Sequence, residues 1–260
     1  MSAVIESQFG LAQALEVSSG DVISLVGAGG KTTILYGLLT ELRRRGVTVV
    51  ATTTTHTQAP DSPTTAPPIV FASEEDNWLQ SVKARLDRYG AATVVGARKR
   101  EDKLMGLQPD DIDPLRGMAE CVLIEADGAR GRSLKAPASH EPVVPDCSTA
   151  VVVVAGLDVL GRRLNGENVH RLEIVTGLSG ASVGSPIVEE VVALAIVRGY
   201  FPVIPRGSRR IAFLNKIDDS RLKQAERVGE LLLDAGAPEV VFGEAIHPNG
   251  CFYQMKPRSE

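Results

Sequence analysis

Few cysteines interrupt this chain of 260 residues: Cys121, Cys147 and Cys251 stand alone, without a Cys-x-x-Cys pair. That scatter excludes the usual zinc-site spacings and gives no disulfide framework. Cys121 opens an apolar stretch, where a small core residue is expected. Neither sign of charge dominates: the formal net charge is −4, with acids and bases interspersed. No basic surface for nucleic acid is therefore expected. Long apolar runs are missing too. The most apolar one, Ala150 to Leu157, is far too short to span a bilayer. Met1 to Gly20 has neither a basic region nor a long apolar core, so a signal peptide is not expected. Together these absences predict a cytoplasmic protein with no membrane and no nucleic-acid partner.

What is present is apolar and periodic. At 43% hydrophobic residues the chain can bury a full core. Short Val/Ile/Leu-dense segments alternate with helical stretches, the pattern of parallel strands joined by crossover helices. Strands are predicted at 22–26, 47–52, 69–72, 92–95, 121–125, 150–155, 210–215 and 239–242. Helices are predicted at 31–45, 74–89, 185–198 and 219–235. The expected fold is α/β: a doubly wound, mostly parallel sheet in three α/β/α layers, similar to P-loop NTPases. A single domain over 1–260 is expected. The long stretches 53–68, 96–117 and 126–148 would form a substrate or partner annex, since long loops in compact α/β domains are usually functional.

One stretch gives the chain its chemistry. Gly27-Ala28-Gly29-Gly30-Lys31-Thr32-Thr33 lies between the apolar run Val22–Val26 and the amphipathic run beginning at Ile34. Strand, glycine-rich turn and helix are the setting of a phosphate-binding loop. Glycines let successive N–H groups turn inward, and the helix N-terminus adds positive potential. Lys31 can neutralise phosphate charge, and the Thr32 hydroxyl can ligate Mg²⁺. The common Gly-x4-Gly-Lys-[Ser/Thr] spacing would need glycine where Leu25 stands. The loop is instead the compact form that resembles Mur-type ligases.

Four further constellations follow. Val122-Leu-Ile-Glu125-Ala-Asp127-Gly128 is an apolar strand ending in acid, where Glu125 or Asp127 can serve Mg²⁺ and the catalytic site with Lys31. Its Glu-x-x-Gly resembles that of nickel-insertion GTPases, in which the glycine N–H senses a γ-phosphate. Asn215-Lys216-Ile-Asp218 looks like the guanine-reading motif of GTPases. A carboxylate there accepts two hydrogen bonds from guanine and faces an acceptor on adenine. The competing reading is a helix N-terminus capped by Asp218 or Asp219. Thr52-Thr-Thr54-Thr55-His56 ends the second strand, placing Thr54, Thr55 or His56 near Mg²⁺ or a γ-phosphate. Arg130-Gly-Arg132-Ser-Leu-Lys135, followed by His140-Glu141-Pro142, can hold a phosphate or an anionic small molecule. Asn168-Val-His170-Arg171 and Arg98-Lys-Arg100-Glu-Asp-Lys103 read as surface faces.

Together these segments resemble the YqeC family, described as accessory proteins for selenium-dependent molybdenum hydroxylases. The likeness rests on the phosphate loop, Thr52–His56, Glu125–Arg130, Lys135-Ala-Pro137, His140–Pro142, Asn168–Arg171 and Asn215–Asp218, and covers nearly the whole chain. It implies a maturation role toward a molybdenum hydroxylase client. The expected function is thus a Mg²⁺-dependent, GTP-preferring P-loop NTPase. The alternative is an ATP-dependent small-molecule kinase or ligase.

Overall fold

A computed structural model describes residues 3–58, 68–100, 103–246 and 250–257. Most of the Thr- and Pro-rich stretch, 59–67, and positions 101–102 of the charged one lie outside the described residues. The chain builds one sheet of ten strands. In chain order these are β1 (Ala3–Phe9), β2 (Asp21–Gly27), β3 (Val49–Thr53), β4 (Ile69–Phe71) and β5 (Ala91–Val95). They continue with β6 (Cys121–Glu125), β7 (Ala150–Gly156), β8 (Arg209–Asn215), β9 (Val240–Gly243) and β10 (Cys251–Pro257). Across the sheet they run β1-β10-β9-β8-β7-β2-β6-β3-β5-β4. From β9 to β4 every pairing is parallel, while β10 and β1 are antiparallel additions at one edge.

Helices cover both faces, and the strand sequences show why. Along β7, Val151, Val153 and Ala155 enter one core, whereas Ala150, Val152 and Val154 enter the other. Side chains alternate along a strand, so a run of apolar residues can only be satisfied by apolar layers on both sides. Helix Lys31–Arg44 buries Ile34, Leu35, Leu38, Leu39 and Leu42 on the second core. Helix Trp78–Tyr89 is capped by Asn77 and stopped by Gly90 in the left-handed region. This is the three-layer α/β/α arrangement expected from the sequence, and the eight predicted strands are present with ends shifted by a residue or two.

Several elements depart from the prediction. β1 and β10 form the antiparallel edge, paired from Ala3↔Pro257 to Phe9↔Cys251. The charged stretch is a hairpin, Ala97–Arg100 with Lys103–Met105, to which Thr57–Gln58 adds a third strand. Leu172–Ser179 is helical, and the expected helix 185–198 is Glu189–Leu194 continuing into a π-turn, Ala195–Tyr200. Within 126–148 the pair Leu134–Lys135 runs parallel to Val169–His170, tying the two loops together.

β2 sits at the centre, between β6 and β7. The chain leaves it toward β3, β5 and β4 on one side and later toward β8 and β9 on the other. Ligands of open parallel sheets bind outside the strand carboxyl ends at such a reversal. The phosphate loop, Glu125–Gly128, Thr53–Thr55, Gly156–Asp158 and Asn215–Asp218 all follow those ends.

Candidate functional site

The phosphate loop keeps its shape through three glycines. Gly27, Gly29 and Gly30 have φ of 93°, 91° and 125°, a region costly for any residue with a Cβ. Crowding makes the requirement steric as well. A Cβ on Gly27 would lie 2.2 Å from the Val154 carbonyl oxygen, and one on Gly29 would lie 2.3 Å from the Gly156 nitrogen. The helix starts at Lys31 with no side-chain cap, so its first N–H groups are left for another acceptor.

Lys31 is 4% exposed, and its Nζ donates to the Gly27 carbonyl at 2.7 Å. It also pairs with Asp127 Oδ1 at 3.1 Å and lies 3.9 Å from Glu125 Oε1. The loop lysine is therefore folded back onto the two acids at the end of β6. The next residue meets the other acid: Thr32 Oγ1 donates to Glu125 Oε2 at 2.9 Å. Burial pushes the Glu125 carboxyl pKa up, with Lys31 and Thr32 offsetting part of that rise. Tyr36 lies one helical turn beyond Thr32; burial and then the Glu125 charge push its phenol up to about 12.

The two candidate acids prove different in kind. Asp127 is wholly buried; its Oδ1 faces Lys31 without a hydrogen bond, and its Oδ2 is the engaged oxygen. Its Oδ2 accepts from the Gly27 N–H at 3.0 Å, the Lys135 Nζ at 3.0 Å and the Tyr200 hydroxyl at 2.8 Å. Lys135, equally buried, also reaches the Gly128 carbonyl at 2.6 Å and Glu141 Oε2 at 2.8 Å. Arg171 closes the chain on Glu141 through Nη2 at 3.1 Å. Burial alone would raise the Glu141 pKa; hydrogen bonds from Lys135 and Arg171 outweigh it and bring it to about 2. Burial and the neighbouring cations Lys135, Arg171 and Arg130 lower the pKa of His170 beside this network.

This network corrects three expectations. Lys135 does not point at a bound anion; a side chain without exposed surface, clasped by two carboxylates, serves the interior. Arg171 is not an idle surface residue, because it holds Glu141. Asp127 braces the phosphate loop from below through the Gly27 N–H. Tyr200 was missed altogether. Its only sequence signal is a tyrosine in an apolar stretch, and 73 residues separate it from its partner.

The Thr-rich segment is largely structural. Thr53 Oγ1 donates to the Glu125 carbonyl at 2.8 Å, and Thr54 Oγ1 donates to the Val143 carbonyl at 2.6 Å. Thr55 N–H returns to Thr53 Oγ1 at 3.1 Å. His56 is exposed beside Lys99, 3.2 Å away. Burial, with Lys99 and Lys103, lowers its pKa. These bonds fix where β3 ends relative to Glu125.

At the end of β8, Asn215 bridges two loops: its Nδ2 donates to the Gly29 carbonyl at 2.8 Å, and its Oδ1 accepts from the Ala245 N–H at 3.0 Å. Lys216, with φ of 62°, sends Nζ to Ser133 Oγ at 2.8 Å and Asp158 Oδ2 at 3.2 Å. Asp218 is exposed and caps the turn Asp219–Arg221, accepting from the Ser220 N–H at 3.1 Å. The hydrogen bond from the Ser220 hydroxyl, then the Arg221 charge, hold its pKa low.

The donors around Thr32 and Glu125 are oxygen only, the chemistry that suits Mg²⁺. No group of three or more His, Cys, Asp or Glu placed to hold a metal occurs among the described residues. A cation here would need oxygens from water or phosphate, as Mg²⁺ characteristically does. No helix among the described residues is long and apolar enough to cross a membrane.

The family model described as "YqeC protein" matches residues 23–173, from β2 to the residues just past Arg171. Over 215 residues the chain is 37% identical to the uncharacterized protein YqeC of Escherichia coli (strain K12), covering 81% of each chain. The chain belongs to the YqeC family.

Proposed function

We propose that this chain binds a Mg²⁺–nucleoside triphosphate at residues 27–33 and hydrolyses it, using the nucleotide cycle to serve a client enzyme. The observation that carries this reading is the conjunction at the end of β2. A loop whose Gly27 and Gly29 admit no Cβ leads into a helix N-terminus, with Lys31 and Thr32 held on Asp127 and Glu125. In that reading the backbone N–H groups of 29–32 receive phosphate oxygens, those of Gly27 and Ala28 being held by Asp127 and the Val154 carbonyl, and Lys31 leaves Asp127 to neutralise them. Thr32 and Glu125 hold the cation, which when bound supplies charge neutralisation at the β- and γ-phosphates. Asp127, Lys135 and Tyr200 keep the Gly27 turn from collapsing when Lys31 moves. A selenium-dependent molybdenum hydroxylase as the client is supported by the family resemblance alone.

Guanine is the proposed base, because the exposed Asp218 carboxylate follows the strand that carries Asn215. Asn215 would then set the loop rather than touch the base, given its bonds to Gly29 and Ala245. Equilibrium binding of GTP and ATP with Mg²⁺, to the parent and to Asp218→Ala, tests the assignment. A GTP preference lost in the variant is expected. Equal affinities unaffected by the change would leave Asp218 as a cap only and favour the ATP-dependent kinase or ligase reading.

A further inference from the structure

On the face of the sheet covered by helix Lys31–Arg44, a small cavity of about 30 Å³ lies against Glu125. Its walls are apolar at Leu35, Ala51, Val95 and Leu104 and polar elsewhere, from Thr32, Tyr36, Glu125, Thr52, Thr53 and Thr93. Leu104 comes from the hairpin Ala97–Met105, whose base is pinned by glycine. A Cβ on Gly106 would lie 2.4 Å from the Thr54 carbonyl carbon. The roof is therefore part of the fold.

Thr93 is one of two wall residues with an unpartnered hydroxyl. It is 4% exposed, on β5 opposite Ala51 and Ile69, and its hydroxyl has no hydrogen-bond partner among the described residues. A buried hydroxyl without a partner is destabilising, and valine fills the same space with no polar atom. Of the other threonines lining the cavity, Thr32 bonds the Glu125 carboxylate and Thr53 its carbonyl, while the buried Thr52 hydroxyl, like that of Thr93, has no hydrogen-bond partner among the described residues.

Size limits what the cavity can hold. A water needs roughly 10–15 Å³ of such space and two to four polar partners. The cavity meets the first requirement, and Thr93 Oγ1, the Tyr36 hydroxyl and the Glu125 carboxylate meet the second. A sugar or a base does not fit.

We propose that this cavity holds the water that attacks the γ-phosphate, with Thr93 as its positioning residue. The inference rests on the nucleotide site proposed above. Thr32 and Glu125 belong to both the cavity and the cation-binding corner, so a water here stands next to the phosphoryl group. Its oxygen forms a bond to the γ-phosphorus, and the bond to the β–γ bridging oxygen breaks, its electrons leaving with the nucleoside diphosphate. One water proton remains on inorganic phosphate and the other passes to solvent. Thr93 fixes the oxygen's position and takes no part in the proton transfer.

The test is steady-state release of phosphate from Mg-GTP and Mg-ATP by the parent, Thr93→Val and Thr93→Ser, beside nucleotide affinity and melting temperature. Thr93→Val should lower kcat by about tenfold, the effect of one hydrogen bond. Nucleotide affinity should stay unchanged, and the melting temperature should hold or rise. Thr93→Ser should restore most of the rate, which a role in packing alone would not produce. Parent-like kcat in Thr93→Val overturns the inference. So does a parent that binds nucleotide without releasing phosphate, although the nucleotide site itself would stand. Absence of nucleotide binding in the parent would instead overturn the reading on which the inference depends.

Discussion

Replacing Lys135 with methionine removes the cation that joins both halves of the buried network while keeping a chain of similar length. Lys135 contacts Asp127 at 3.0 Å, Glu141 at 2.8 Å and the Gly128 carbonyl at 2.6 Å, with no exposed side-chain surface. Its loss does not strand either acid completely. Asp127 keeps Gly27 N–H, Tyr200 and Lys31, and Glu141 keeps Arg171. Removing one partner of a buried ion pair costs about 3–5 kcal/mol. The surviving partners place this case near the lower bound, about 3 kcal/mol. For a chain of this size that lowers the melting temperature by about 6 °C. Urea unfolding followed by circular dichroism measures the free energy, and calorimetry measures the melting shift. Adding Glu141→Gln should cost less in this background than in the parent, because its contact with Lys135 is already gone, so the two changes should be non-additive. A loss below about 1 kcal/mol in the single variant would refute the claim that the network braces the site.

Two other perturbations follow from the same geometry. The Glu141 carboxyl is brought from the usual 4.5 to about 2, so its contribution is complete above about pH 4.5 and is lost as pH falls toward 2. Allowing for solvent screening, Glu141→Gln should be about 2 kcal/mol less stable near neutrality. The gap should close in acid, and a gap independent of pH would contradict the pairing. Gly27→Ala puts a Cβ 2.2 Å from the Val154 carbonyl at a φ of 93°, so a loss above about 2 kcal/mol and weaker nucleotide binding are expected. Gly128→Ala, with nothing within 4 Å of the new Cβ, should unfold within about 0.5 kcal/mol of the parent. Urea titration of the pair checks both, and equal losses would count against the steric argument.

The sequence shows the central sheet because local patterning is enough to specify it. Strands such as β7 are apolar on both faces, and the strand–glycine–helix order around Lys31 lies within one short segment. The edge was less visible: β10 mixes Phe252 and Met255 with the buried polar Gln254, so its apolar pattern is broken, and β1 pairs with it from the other chain end. Charge misled in two places. Lys135 and Arg171 look like surface or anion-binding residues because their partners, Asp127 and Glu141, meet them only after β6, β7 and the π-turn pack together. Tyr200 carries no local signal, since its partner is fixed by tertiary structure. The Thr52–His56 run suggested ligand contacts, whereas the Thr53 and Thr54 hydroxyls close backbone gaps between β3, β6 and the following loops. Glu125 and Asp127 are two residues apart, and only packing separates a carboxylate beside Thr32 from one locked inside.

The central claim is that residues 27–33 receive the phosphates of a nucleotide, and titration calorimetry of the parent and Lys31→Ala with Mg-GTP and Mg-ATP tests it most directly. Lys31 would supply charge-assisted hydrogen bonds worth about 1.5–3 kcal/mol each, so the variant should bind at least about tenfold more weakly. Its melting temperature without nucleotide should fall less than that of Lys135→Met, because Lys31 pairs closely with Asp127 alone, whereas Lys135 joins Asp127 and Glu141. Tight binding by the parent and loss in the variant is the predicted result. Equal affinity in both, or no binding by the parent, would contradict the account.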